Sequence, residues 1–409
     1  MSLPSAEPVV TLPPGLSAAG QQDFARRARA AGAAWLELRN DLYADDALDA
    51  AALARVVPLL ASQRARPLAR PWVDAARRVD IPLGEPSPVE VSRLLRSFHA
   101  EVALGAEEAV ALWRSAEAGS ARKHVEPLGD PRTGWRLLEV QAALGANTTV
   151  LATGPLALPF RAVLSERNAL DYCALDGTWS AAPGQRLLED ARRASRAKVG
   201  TPRLGILGAR IGHSRSPLVH PPPFDRIDLP PEADVAALLQ ALRPHYRGFA
   251  VTRPFKRAVA AALGTGLDAV NTVFRKGEGW GGANTDVDGA EDTLRALGAA
   301  TVTVLGGGGV APALQAAAVR LGVSLQVRRR AELAGVQVEG PCVWTWPEEL
   351  EPPAGLRLEG ARVAVIAYGE PGRAIASHID QRGGVALHRG EAWFEAQAAA
   401  QRTLWTVGG

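Results

Sequence analysis

Lysine is rare in this chain, and its few positions invite a chemical reading. Of 46 Lys plus Arg residues, only Lys123, Lys198, Lys256 and Lys276 are lysine. A guanidinium stays protonated and forms no imine, whereas an amine can exchange a proton or condense with a ketone. Lys256 closes the run Val251-Thr-Arg-Pro-Phe-Lys, and a carboxylate, Asp286, lies in Gly282-Ala-Asn-Thr-Asp-Val-Asp-Gly. An amine beside a carboxylate can relay the proton of an alcohol that is losing a hydride. The same two residues could also make a structural ion pair. Lys123 follows His99, at the end of Arg96-Ser-Phe-His. An imidazole base and an imine-forming amine together can draw a proton from a carbon next to a ketone.

A third constellation is a glycine turn. Thr301-Val-Thr-Val-Leu reads as a strand that runs into Gly306-Gly-Gly-Gly-Val-Ala-Pro. Gly306, Gly308 and Gly309 let the backbone approach a pyrophosphate, and a helix starting near Val310 supplies N–H donors and a favourable dipole. The next strand, Ser324-Leu-Gln-Val, ends in Arg328, Arg329 and Arg330. An acid there would receive a ribose 2′-hydroxyl, whereas arginines suit a 2′-phosphate, so the expected cofactor is NADP. An exposed basic turn would leave the same trace.

These residues need a scaffold, and the pattern is α/β. Eight apolar runs alternate with Ala/Leu/Arg-rich stretches in the first half: Pro8-Val-Val-Thr-Leu, Ala33-Ala-Trp-Leu-Glu-Leu-Arg, Arg66-Pro-Leu-Ala-Arg, Arg78-Val-Asp-Ile-Pro-Leu, Arg93-Leu-Leu-Arg-Ser-Phe, Ala121-Arg-Lys-His-Val, Thr148-Thr-Val-Leu-Ala and Leu170-Asp-Tyr-Cys-Ala. They predict a (β/α)₈ barrel, reduced because the third-to-fourth and fourth-to-fifth connections are too short for ordinary crossover helices. New α/β patterns begin at Arg203 and Thr301. The expected division is a barrel over 1–197, an α/β substrate domain over 203–297, and a Rossmann-like domain with a returning C-terminal helix over 298–409.

Composition sets the outer limits. The chain of 409 residues is 47% hydrophobic and 22% charged, as in a globular protein of two or three domains. Two cysteines, Cys173 and Cys342, imply no disulfide framework. The start has no secretory pattern and no apolar run is long enough for a membrane span, so a cytoplasmic location is expected. The net charge of +3 comes from arginines dispersed among acids and alanines, which argues against a nucleic-acid partner. The expected partners are small molecules, and no metal is called for.

Four motifs in order, Gly212-His-Ser-Arg-Ser-Pro, Val251-Thr-Arg-Pro-Phe-Lys, Asp268-Ala-Val-Asn-Thr and Gly282-Ala-Asn-Thr-Asp-Val-Asp-Gly, resemble the substrate-binding part of shikimate dehydrogenases. The resemblance runs over about 203–409. It implies that Ser214 and Ser216 hold the shikimate carboxylate, that Thr252, Asn271 and Asp286 bind ring hydroxyls, and that Lys256 and Asp286 flank the reacting hydroxyl. The final segment from Glu391 is similar to the family's last helix and offers Gln397 as a further ligand.

The first half resembles type I 3-dehydroquinate dehydratases along most of 5–195. Glu37-Leu-Arg-Asn-Asp, Arg96-Ser-Phe-His, Lys123, the Gly154 and Arg161 pair, and Ala182-Pro-Gly-Gln carry that likeness. It implies that Lys123 forms a Schiff base, that His99 is the general acid/base, and that Glu37, Arg39, Arg161 and Gln185 anchor the substrate. The family's Arg…Glu-Gly-Gly segment and the helix after the third strand are absent from this reading, and Ala181 replaces a serine. The two resemblances together imply a bifunctional shikimate-pathway enzyme that acts on 3-dehydroquinate, 3-dehydroshikimate and shikimate. Two other readings keep the same residues: a dehydrogenase carrying a non-catalytic barrel, and a metabolite sensor that turns over nothing.

Overall fold

A computed structural model of the chain describes residues 6–212, 214–346 and 353–407. It divides into two compact units, Met1–Arg247 and Gly248–Gly409. Among the described residues, no helix is long and apolar enough to cross a membrane.

The first unit is built on a parallel sheet of strands β1 (Glu7–Thr11), β2 (Trp35–Arg39), β3 (Leu59–Ser62), β4 (Arg78–Pro82), β5 (Leu94–His99), β6 (Ala121–Pro127), β7 (Thr148–Thr153) and β8 (Leu170–Ala174). The order is β7-β6-β5-β4-β3-β2-β1-β8, with the two-residue β9 (Arg186–Leu187) on the outer edge of β8. β7 and β8 share no ladder. The Ala169 N–H donates to the Thr148 carbonyl at 2.9 Å, the Asn168 side-chain amide donates to and accepts from the Val150 backbone at 3.0 and 2.9 Å, and the Leu170 N–H donates to Thr149 Oγ1 at 3.0 Å. The fold is thus the reduced barrel that the strand count predicts.

Helices α1 (Ala18–Ala31), α2 (Ala50–Ala54), α3 (Arg70–Ala75), α4 (Ala106–Trp113), α5 (Arg136–Leu144), α6 (Leu158–Leu164) and α7 (Leu188–Ala194) link the strands, while β4 and β5 are joined through only a three-residue 3₁₀ turn. Local sequence explains their limits. Ser17 Oγ accepts the Gly20 N–H at 3.2 Å to start α1, and Gly32, at φ 95°, ends it in the left-handed region.

The third strand differs from the sequence expectation. Arg66–Ala69 is loop and Arg70 opens α3, and the strand is the all-buried Leu59-Leu-Ala-Ser. Pro67 lacks the N–H that a central strand needs. The shift leaves room for α3, so the helix expected to be missing is present as six residues.

Alternation along the strands gives the barrel an inner layer and an outer, helix-facing one. Val9, Trp35, Leu60, Leu95, Ala121, Leu170 and Tyr172 belong to one interior apolar cluster. The opposite faces, including Val10, Leu36, Leu38, Val79 and Ile81, pack with the helices in another cluster. Further along the inner face, toward the strands' C-terminal ends, the side chains turn polar: Thr11, Glu37, Ser62, Asp80 and Lys123 are all buried.

The unit continues through β10 (Arg203–Gly208), α8 (Ser216–Val219), the strand β11 (Phe224–Asp228) parallel to β10, and α9 (Val235–Leu242). The boundary between units falls within β12 (Tyr246–Val251).

In the second unit, α10 (Lys256–Leu263) precedes β13 (Thr272–Lys276) and β14 (Gly279–Ala283), which form an antiparallel meander with the end of β12. After α11 (Asp286–Leu297) comes a parallel sheet, β16-β15-β17-β18-β19. Its elements are β15 (Thr301–Leu305), α12 (Ala311–Leu321), β16 (Ser324–Arg328), β17 (Pro341–Trp344), β18 (Arg362–Val365), α13 (Gly369–Asp380) and β19 (Val385–His388). This Rossmann-like order reverses direction between β15 and β17, the place where such sheets open a ligand crevice. The last helix, α14 (Gly390–Val407), packs along α11 and places Trp393 over Gly289, where a Cβ would come within 2.8 Å of the indole.

Candidate functional site

In the barrel, strand register gathers four charged side chains. Lys123 Nζ lies 3.0 Å from Asp80 Oδ2 and 3.7 Å from Glu37 Oε1, and it stands over the Tyr172 ring at 4.1 Å from the centroid. Arg64, just beyond β3, lies 3.1 Å from Asp80 Oδ2 and 3.8 Å from Glu37 Oε1. Asn40 fixes the Arg64 loop, its Oδ1 accepting the N–H groups of Arg64 at 2.7 Å and Ala65 at 3.2 Å. Hydroxyls complete the Glu37 carboxylate: Thr11 donates at 2.6 Å and Ser62 at 2.7 Å.

The electrostatics follow from burying this cluster. Burial pushes the Lys123 ammonium down, Arg64 adds to the effect, and Asp80 and Glu37 only partly oppose it. Burial acts against the Asp80 charge, but Lys123 and Arg64 outweigh it and hold the carboxyl at about 2. His99 ends β5 and is exposed, with Arg64 Nη1 at 2.5 Å from its Nε2. Desolvation of the enclosed part, then the charges of Arg64 and Lys123, push the imidazole down to about 3. Burial and the neighbouring cations thus act in the same direction on Lys123 and His99, against their charged forms.

The other expected barrel residues lie around this group. Arg39 is half-buried and forks onto Asp41 at 3.0 and 2.6 Å. Gln185 accepts the Ala181 N–H at 2.9 Å. Arg161 is enclosed on α6, donating to the Tyr172 carbonyl at 2.8 Å. Among the described residues, no hydrogen bond or ion pair joins Arg161 to the Lys123 cluster. Arg64 and Asp80 are functional candidates that the sequence reading missed. The available signal was an acid at the centre of an apolar strand, Arg78-Val-Asp-Ile-Pro.

In the second unit, Lys256 and Asp286 are the first residues of α10 and α11, and Lys256 Nζ lies 2.5 Å from Asp286 Oδ2. Asp286 is buried, and its charge suits a helix N-terminus. Asn271 is buried nearby in sequence order, its Oδ1 accepting the Thr285 N–H at 2.7 Å and its Nδ2 donating to Gln397 Oε1 at 3.5 Å. α14 therefore brings Gln397 to Asn271. Thr252 is half-buried, its carbonyl accepting the Phe255 N–H at 3.0 Å. Ser214 and Ser216 belong to the first unit, where their hydroxyls lie 3.3 Å apart and Arg226 holds the Ser214 carbonyl at 3.0 Å.

The glycine turn forms a cradle. Gly306 has φ 112°, its N–H donates to the Arg328 carbonyl at 2.9 Å, and a Cβ there would meet Thr345 Oγ1 at 2.6 Å. Beside Gly309 a Cβ would meet nothing within 4 Å, so the turn is open before α12. Arg328 and Arg329 are exposed at the end of β16. The Arg330 side chain lies outside the described residues. A glycine turn, a helix N-terminus and exposed arginines fit a phosphorylated dinucleotide.

No family model matches the chain. It is similar to a shikimate dehydrogenase (NADP(+)) of Anaeromyxobacter sp. (strain Fw109-5), 30% identical over 254 residues that cover 49% of this chain and 90% of the relative. A shikimate dehydrogenase (NADP(+)) of Microcystis aeruginosa is 35% identical over 138 residues, 29% of this chain and 48% of the relative. Thus the chain spans nine-tenths of the first relative's length and about half of the second's. Among solved structures, a dehydroquinate dehydratase and shikimate dehydrogenase from S. pombe aligns over 98% of this chain and 96% of its own, at 17% identity and a TM-score of 0.39. A shikimate 5-dehydrogenase from Mycobacterium fortuitum aligns over 50% of this chain and 92% of its own, at 26% identity and a TM-score of 0.39. These structural likenesses are too loose to bear on mechanism.

Proposed function

The C-terminal half of the chain belongs to the shikimate dehydrogenase family, and on that premise we propose that it reduces 3-dehydroshikimate to shikimate with NADPH. The observation that carries the reading is the Lys256–Asp286 pair, 2.5 Å apart at two helix starts. NADPH, when bound, supplies the hydride. Lys256 and Asp286 hold the reacting oxygen and deliver its proton. Thr252, Asn271 and Gln397 orient the ring hydroxyls, and Ser214 and Ser216 hold the carboxylate. Gly306, Gly308, Gly309 and Val310 receive the pyrophosphate, while Arg328, Arg329 and Arg330 grip the 2′-phosphate.

The barrel supplies a second activity in this proposal, Schiff-base dehydration of 3-dehydroquinate. The depressed Lys123 ammonium favours the neutral amine that attacks the C3 ketone, and water leaves as the imine forms. His99 removes the C2 proton and returns it to the departing hydroxyl, and hydrolysis frees the product. Glu37, Arg39, Arg161 and Gln185 are the proposed anchors. The division 1–197, 203–297 and 298–409 is retained as barrel, substrate-binding and NADP-binding segments, working in the cytoplasm.

Absorbance of NADPH provides the test. The purified chain given shikimate and NADP should form NADPH faster than with quinate and NADP or with shikimate and NAD. Absence of NADP reduction by shikimate would overturn the dehydrogenase proposal. Enone absorbance after addition of 3-dehydroquinate tests the barrel separately.

A further inference from the structure

Arg64 and His99 meet in a way that the proposed dehydration does not require. Arginine has donors and no acceptor. Its Nη1, 2.5 Å from His99 Nε2, therefore makes Nε2 the acceptor and leaves the imidazole proton on Nδ1. A neutral imidazole has one basic lone pair, so here the guanidinium occupies the atom that must accept a proton. Arg64 is held in that place by Asp80 at 3.1 Å and Glu37 at 3.8 Å, and by the Asn40 bonds to its loop. The other charges facing the imidazole are Lys123, Asp80 and Arg39.

We propose that Arg64 is a gating residue: it caps the basic nitrogen of His99 in the resting barrel, and a carboxylate ligand that engages the guanidinium uncaps it. A carboxylate binds a guanidinium through two charge-assisted bonds, whereas neutral imidazole offers one, so a carboxylate ligand wins the competition. Base strength is then released only when a carboxylate-bearing molecule is in the site. The proposal rests on the barrel's reading as an imine-forming dehydratase, but the capping itself is measurable without turnover.

Diethyl pyrocarbonate reads it directly. The reagent reacts with an unprotonated, unoccupied imidazole nitrogen, transferring its carbethoxy group and releasing ethanol and carbon dioxide. The tryptic peptide 97–114 contains His99 and no other histidine. Arg64→Met removes the donors and should label His99 roughly ten- to a hundredfold faster than the wild type. In the wild-type chain, formate, small enough to engage Arg64 without covering the ring, should speed labelling beyond chloride at equal ionic strength. Arg64→Met should show no such difference. Equal labelling of wild type and variant would overturn the capping. A wild type that responds alike to formate and chloride would overturn the gate, and this arm needs no variant to fold. Failure to dehydrate 3-dehydroquinate, with capping intact, would count against the dehydratase reading alone.

Discussion

Asp80 Oδ2 lies 3.0 Å from Lys123 Nζ in the barrel interior, and both residues are buried. Removing the Asp80 charge leaves the buried Lys123 and Arg64 with Glu37 as their one remaining carboxylate neighbour in the cluster. Asp80→Asn should cost about 3–5 kcal/mol in stability, read by chemical denaturation. The Asp80 carboxyl stands at about 2, below its ordinary 3.8. Its contribution is therefore fully present above 3.8 and is lost as pH falls through about 2. The variant should show a shallower acid loss than the wild type over that window, and parallel curves would refute the assignment.

Borohydride reduces an imine to a stable amine. Treating the chain with 3-dehydroquinate and borohydride should add ligand mass to the peptide that contains Lys123. Lys123→Arg keeps the charge but should abolish trapping, because a guanidinium does not form the imine. Dehydration without trapping at Lys123 would show the mechanism to be wrong.

Lys256→Ala should lower kcat for shikimate oxidation by ~10²–10⁴-fold, with a much smaller change in KM. A variant with near-normal turnover would reduce the Lys256–Asp286 contact to a structural ion pair.

Arg329 is exposed at the end of β16, beyond the glycine turn. Arg329→Asp should shrink the preference for NADP over NAD, measured as the ratio of kcat/KM values. An unchanged ratio would remove Arg329 from the 2′-phosphate site.

A Cβ on Gly289 would lie 2.8 Å from the Trp393 indole. Gly289→Ala should destabilise the second unit by about 1–3 kcal/mol through overpacking between α11 and α14, seen as a lower melting temperature. An unchanged melting temperature would mean that the helices yield at this contact.

Motifs carried within one stretch of chain were legible in the sequence. Gly306–Gly309 sits between a strand and a helix as expected, and the final helix brings Gln397 to Asn271. The Lys256–Asp286 approach follows from two motifs that each open a helix. The third strand was harder, because Leu59-Leu-Ala-Ser is too short and apolar to separate by period from the preceding helix. The partnership of Arg64 with Asp80, Glu37 and His99 was not legible. These residues come from different strands or the loops beyond them, and only register and alternation across the sheet bring them together. Nor does residue type reveal that Arg161 would be enclosed against the Tyr172 carbonyl.

The way β7 meets β8 also sets where the barrel wall can change its girth. Elsewhere around the ring, neighbouring strands are joined by backbone ladders. At this one join, contact runs through the Asn168 amide, the Thr149 hydroxyl and a single backbone bond from the Ala169 N–H to the Thr148 carbonyl at 2.9 Å. One backbone bond and two side chains thus hold this join where full ladders hold the others, so it is the part of the wall that resists separation least. Glu37, Asp80 and Lys123 stand on β2, β4 and β6, in the part of the wall that unbroken ladders tie together.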